Sequence, residues 1–222
     1  MIFDMRALGA GDRYKIIGAC ITPRPIAWVT SQAADGSLNL SPFSFFNALG
    51  SDPPIIALGL VAHTEKRLKD TAANIRETGE FVVNLVGESS AEAMNLTSID
   101  APPEIDEIAL ADLLMVPSIA VAPPRVAEAP ASFECVVRHY LETGVNQVAI
   151  LAEVLHAHVG DEFLLDRERI HIDVPAMKLV SRLHGAGWYG RQTDKFEMLR
   201  PAWSDVVAAG GAEAFAAQRT GA

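Results

Sequence analysis

Between Ile26 and Val61 the chain runs through three apolar, β-rich stretches with tight connections. Ile26–Ser31 is the first, and Ala34-Asp35-Gly36-Ser37 after it carries the Asp-Gly signal of a hairpin. Leu38–Phe46 returns as its partner strand. Past the break at Asp52-Pro53-Pro54, Ile55–Val61 reads as a third, fully buried strand. The period then changes. Asp70 to Glu77 carries Ala72, Ala73, Ile75 and Arg76 as a helix would, and Gly79 supplies the stop. Phe81–Val86 is again strand, and Ala91–Met94 predicts a short helix. Ile99 to Pro130 is proline-rich and irregular, with helical pieces expected around Leu110–Leu114. Two further strands, Ala131–Glu142 and Gln147–His158, flank Thr143-Gly144-Val145-Asn146.

Sequential strands joined by hairpins, with helices only as insertions, predict a mostly β, antiparallel barrel. We expect one domain over residues 1–200 and an Ala/Gly-rich tail, partly helical, over 201–222. The literal G-x-G-x-x-G at Gly185–Gly190 follows a loop and opens no apolar helix, so it does not read as a dinucleotide-binding turn.

Composition narrows the function. No apolar run reaches the roughly 18–20 residues that span a bilayer. The start, Met-Ile-Phe-Asp-Met-Arg, lacks the pattern of a secretory signal, and a cytoplasmic setting is expected. A net charge of −10 argues against a nucleic-acid partner. Cys20 and Cys135 fit no metal-ligand spacing and are expected to be buried packing residues. His139, His156, His158 and His171 show no carboxylate or cysteine partner at ligand spacing, so no metal is assigned.

Candidate chemistry gathers at two places. Ser41, Ser44, Phe45, Phe46 and Asn47 close the second strand, and aromatic faces beside hydroxyls and an amide suit a flat heterocycle. The basic, hydroxyl-bearing segment His63–Thr71 at a helix start suits a phosphate, with Lys69 and Thr71 as its holders. Asp70 as N-cap with Lys69 solvated is the other reading of that segment. His63 fits either the cofactor or the barrel rim. Together the two places point to one phosphorylated, planar cofactor.

Several pieces in order carry a resemblance. They are Thr22-Pro23-Arg24-Pro25-Ile26-Ala27-Trp28-Val29-Thr30, Ser44-Phe45-Phe46-Asn47, Asp52-Pro53-Pro54, and Lys69-Asp70-Thr71 with Asn74. Glu77–Asn84, Pro123-Pro124-Arg125, Arg182-Leu183 and Trp188-Tyr189 follow. Over roughly Tyr14 to Arg191 the chain resembles the flavin reductase-like family, whose members bind FMN in an antiparallel split β-barrel with a few helical insertions.

The resemblance implies an isoalloxazine held near Thr30, Ser31, Ser44, Phe45, Phe46 and Asn47. At least one of Phe43, Phe45 and Phe46 should face the core instead, because successive strand residues point to opposite faces. Arg24 and Trp28 lie on the strand entering the site, and Trp28 fits the core as well as the flavin. His184, Trp188 and Tyr189 form a late loop near the flavin, where His184 stands in place of a glycine common among relatives.

The implied reaction is hydride transfer from NAD(P)H to FMN. The cofactors carry that chemistry, so no catalytic side chain is expected. The implied assembly is a homodimer, with a flavin-dependent monooxygenase as partner. A flavoredoxin-like electron carrier and a non-redox ligand-binding barrel are the alternatives. A flavin oxidase would need a second set of basic residues that the sequence lacks.

Overall fold

The computed structural model describes residues 1–61, 70–99 and 106–220. Helix α1 (Ala10–Cys20) leads into β1 (Arg24–Pro25), β2 (Ala27–Gln32), β3 (Leu38–Phe43), β4 (Phe45–Ser51) and β5 (Pro54–Val61). Then come α2 (Asp70–Thr78), β6 (Glu80–Asn84), α3 (Ala91–Leu96), α4 (Glu107–Leu110), β7 (Met115–Val116) and β8 (Arg125–Val126). The long hairpin of β9 (Ala131–Gly144) and β10 (Gln147–Val159) follows. The short strands β11 (Leu164–Asp166), β12 (His171–Ile172), β13 (Val180–Arg182) and β14 (Tyr189–Arg191) complete the first compact unit, Met1–Gln192. The second unit, Thr193–Ala222, carries α5 (Trp203–Ala208) and α6 (Ala212–Thr220).

Seven strands form one antiparallel sheet in the order β3-β2-β6-β9-β10-β5-β4. Its two end strands, β3 and β4, are consecutive in the chain and meet at Ser44. The sheet therefore curls until its ends are one piece of backbone, which is the closure of a barrel. The expected single strand Leu38–Phe46 is corrected accordingly: it breaks at Ser44, β3 pairing with β2 and β4 with β5. A smaller sheet, β1-β13-β14, brings the late Gly-rich loop back to the first strand.

Local chemistry sets the boundaries. At the hairpin, Gly36 takes φ +91°, and Asp35 Oδ1 accepts the Ser37 N–H at 2.9 Å. Gly79, at φ +73°, donates to Ile75 O at 2.9 Å and ends α2. In the proline-rich excursion, Asp106 accepts the N–H groups of Ile108 and Ala109, so α4 starts three residues before the expected Leu110.

Strand β2 is buried on both faces. Ala27 and Val29 join Phe43, Leu58, Phe81 and Ile150 in the barrel core, while Ile26 and Trp28 join Leu40, Met94 and Val180 outside it. Asn84, fully buried at the end of β6, fastens this wall. Its Nδ2 donates to Trp28 O and Thr30 Oγ1, both at 3.0 Å. Its Oδ1 accepts from Val126 N and Ser132 Oγ, both at 2.9 Å.

The cysteines part company. Cys135 is buried, and burial pushes its thiol up from the ordinary range. Cys20 is exposed at the end of α1, which corrects the expectation of two buried thiols. A thiol reagent should therefore label one cysteine per native chain and both after unfolding. Native labelling of both, followed by mass spectrometry, would contradict this placement.

Candidate functional site

The break at Ser44 is also where the candidate site opens. A cavity of about 280 Å³ is walled by Tyr14 of α1, Ser44 and Phe45 at the bend, Asn95 of α3, and Arg182 and Tyr189 of the small sheet. Five separate elements thus converge on one opening. The Phe45 ring lies 5.8 Å from the Tyr14 ring. A β-carbon at Gly59 would stand 3.0 Å from Phe45 Cβ, so glycine there lets this aromatic side chain lie against β5.

Arg24 is buried directly behind this wall. Its Nε donates to Ser44 Oγ at 3.2 Å, and its Nη2 donates to Leu183 O at 3.0 Å. Its Nη1 donates to Ile21 O at 2.9 Å and also to Gly18 O. The guanidinium stands 5.8 Å from the centre of the Phe45 ring. Burial draws Arg24 below its ordinary value; Tyr14 opposes that and Arg182 adds to it. One side chain thereby ties α1, the β3–β4 bend and the β13–β14 loop together.

Arg182 arranges the opposite rim. It donates to Trp188 O and Gly185 O, each at 2.8 Å, and sits 5.0 Å from the centre of the Tyr189 ring. On that loop His184 and Trp188 are exposed and meet edge to face, with centroids 6.4 Å apart.

A polar cluster lies at the start of α2. Ser31 Oγ accepts from Asn74 Nδ2 at 3.2 Å, and Thr71 Oγ1 donates to Asn39 Oδ1. Both Ser31 and Thr71 are fully buried, each hydroxyl engaged by an asparagine of this cluster. His63 and Lys69 lie outside the described residues.

The remaining candidates separate. Thr30 is fully buried, its hydroxyl taken by Asn84. Trp28 is fully buried too, its indole N–H donating to Thr97 Oγ1 at 2.9 Å, so its ring belongs to the core and not to the cavity wall. Phe46 turns the other way from Phe45 and packs on the barrel core. Asn47 is exposed, its Oδ1 accepting the Ala48 N–H at 2.9 Å. Tyr14, Asn95 and Arg182 are wall residues outside the candidates that the sequence pattern marks. Arg182 alone carried a signal, as part of the Arg-Leu piece before the Gly-rich loop.

A larger cavity, about 410 Å³, lies elsewhere between Gly87–Ser89 and Ala176–Lys178. Its lining carries Glu88, paired with Arg191, together with Glu128 and Lys178, and Phe163 is its one aromatic ring. The smaller cavity offers aromatic faces, a hydroxyl, an amide and a cation, and its described lining has no carboxylate. That donor set fits the rim of a flavin ring.

The model of the flavin reductase like domain matches residues 19–172. The chain belongs to the flavin reductase-like family. This flavin reductase-like chain is 39% identical over 202 residues to a protein of Deinococcus radiodurans, covering 89% of this chain and 88% of the other. Its structure is similar to that of nitrilotriacetate monooxygenase component B from Bacillus cereus. There the TM-score is 0.81 and identity 32%, over 89% of this chain and 98% of that one. It is equally similar to a Pseudomonas fluorescens 2-nitrobenzoate 2-nitroreductase, with TM-score 0.81 and 31% identity over 91% and 98%. Family membership implies a bound flavin and confirms the mostly β split barrel. No described helix is long and apolar enough to cross a membrane.

Proposed function

We propose that the chain is an NAD(P)H-dependent FMN reductase that works as a cytoplasmic homodimer and supplies reduced flavin to a monooxygenase. The observation that carries this reading is the aromatic cavity at the β3–β4 bend, whose described lining has no carboxylate, on a barrel of this family. The monooxygenase partner is supported by the 32% identity to a monooxygenase component B.

FMN, when bound, supplies the hydride-accepting chemistry. Tyr14, Phe45 and Tyr189 would pack its ring, and Ser44, oriented by Arg24, would hydrogen-bond its rim. The start of α2, with Lys69, would hold the phosphate end. Arg182 would fix the loop bearing His184 and Trp188 beside the ring.

The test is an anaerobic visible spectrum of the protein with FMN, before and after NADH or NADPH. Rapid bleaching would support the reductase and identify its donor. Bound but unreduced flavin would favour an electron carrier, and absence of binding would refute the reading.

Phe45→Ala should weaken FMN binding about tenfold, because aromatic stacking on a base-like ring is worth about 1–3 kcal/mol. Phe46→Ala should instead lower stability by about 2 kcal/mol with little change in flavin affinity, since its ring packs on the core. Fluorescence titration and urea unfolding separate the two effects. Light scattering tests the dimer.

A further inference from the structure

The candidate flavin cavity is positively charged on two sides, and its described lining holds no acid to balance it. Arg182 lines it, and Arg24 lies one layer behind Ser44 and Phe45. Both guanidinium groups direct their N–H donors to backbone carbonyls, and Arg24 also to the Ser44 hydroxyl. Their hydrogen bonding is met while their charge is not. Among the described residues neither forms an ion pair, and the described cavity lining contains no aspartate or glutamate. For Arg24, the surroundings that act on its charge are burial, Tyr14 and Arg182.

A cation buried in this way keeps much of its field, because little solvent lies between it and the opening. Any ligand form that gains negative charge inside the cavity is favoured over the form that lacks it.

We propose that this site discriminates between the redox states of flavin, holding the anionic reduced form more tightly than the oxidised form. The proposal rests on the flavin reading above. When a reduced nicotinamide is the donor, its C–H bond breaks and a new N–H bond forms on the flavin. The donor ring becomes cationic and the flavin ring gains one negative charge, with no proton taken from water. The phosphate carries the same charge in both states, so it cancels from the comparison. What remains is the ring charge against Arg24 and Arg182. A site built this way favours the forward transfer. It also keeps reduced flavin in place until a consumer removes it.

The test is an anaerobic titration of the full chain, at mildly alkaline pH, with FMN and with dithionite-reduced FMN. Reduced FMN should bind about tenfold tighter or more, which for a two-electron couple raises the bound potential by about 30 mV. Arg24→Met should bring the ratio toward unity, while Arg24→Lys keeps part of it. If circular dichroism shows that Arg24→Met does not fold, Arg182→Gln and the ratio of the native chain carry the decision. Equal affinities, or tighter binding of the oxidised form, would overturn the proposal while leaving the flavin site standing. Binding of neither form would overturn the flavin reading itself.

Discussion

Replacing Asn84 with leucine is expected to cost about 4 kcal/mol of folding stability, more than most single substitutions in this barrel. The amide is fully buried and uses both its ends. It gives two hydrogen bonds, to Trp28 O and Thr30 Oγ1, and takes two, from Val126 N and Ser132 Oγ. Leucine leaves the Val126 N–H and the Ser132 hydroxyl buried without these acceptors, at about 1–3 kcal/mol each. It also places a branched side chain where a planar amide lay between three strands. Asn84→Asp should be damaging as well, because a carboxylate cannot donate to Trp28 O and Thr30 Oγ1. Urea unfolding gives the value directly. A loss below about 1 kcal/mol would mean that Asn84 is not the fastening point of β2, β8 and β9.

The consequence reaches the candidate site. Trp28 and Thr30 belong to β2, and the next residue of that strand, Ser31, meets Asn74 beside Thr71. Loosening β2 from β6 would shift the proposed phosphate end and also Pro42 and Phe43, which pair with Trp28 and Ala27 and line the cavity. Asn84→Leu should therefore weaken riboflavin as well as FMN.

Why some of this was legible in the sequence and some was not follows from particular residues. β2, β5, β6, β9 and β10 are runs of branched and aromatic residues bounded by turn chemistry, and their limits fall within two residues of the reading. The break at Ser44 left no trace, because β3 and β4 are both extended and only their partners differ. Helix α1 was not anticipated. It buries only Gly18, so it carries no apolar stripe to read, yet it delivers Tyr14 to the cavity. Trp28 suited either environment by type, and Thr97, a long way off in sequence, decides its place. Arg24, a candidate ligand contact, stands behind the cavity wall, since the carbonyls that claim it come from the end of α1 and from the distant Leu183.

Glu134 shows the same limit and carries the second large expectation. Within Ser132-Phe133-Glu134-Cys135 a lone carboxylate reads as an outward-facing strand residue, but its side chain is wholly buried. Its Oε1 accepts from Ile119 N at 2.8 Å and Oε2 from Ala120 N at 2.6 Å. His158 Nε2 lies 2.6 Å from Oε1, and His156 Nδ1 lies 3.9 Å from Oε2. These histidines are two residues apart on β10 and share a face, which is why both reach the same acid on neighbouring β9. Glu80 adds a second tether by accepting from Ala122 N at 2.9 Å. Two carboxylates thus lash the loop after β7 to the sheet.

Burial pushes the Glu134 carboxyl up. The Ala120 and Ile119 amides and His158 outweigh that and hold it below the ordinary range. A carboxyl held lower in the folded chain than in the unfolded one adds stability above the unfolded value, and this is lost as pH falls through the folded value. Glu134→Gln keeps the shape but loses the charge and one of the two acceptors, so it should cost about 2–3 kcal/mol at neutral pH. That gap should narrow as the medium is taken below about 4.5, the ordinary value for such a carboxyl, because the native acid is then neutralised in turn. Unfolding curves for both chains at neutral and acid pH measure it. A gap that stays constant with pH would show that the amide hydrogen bonds hold the loop without the charge.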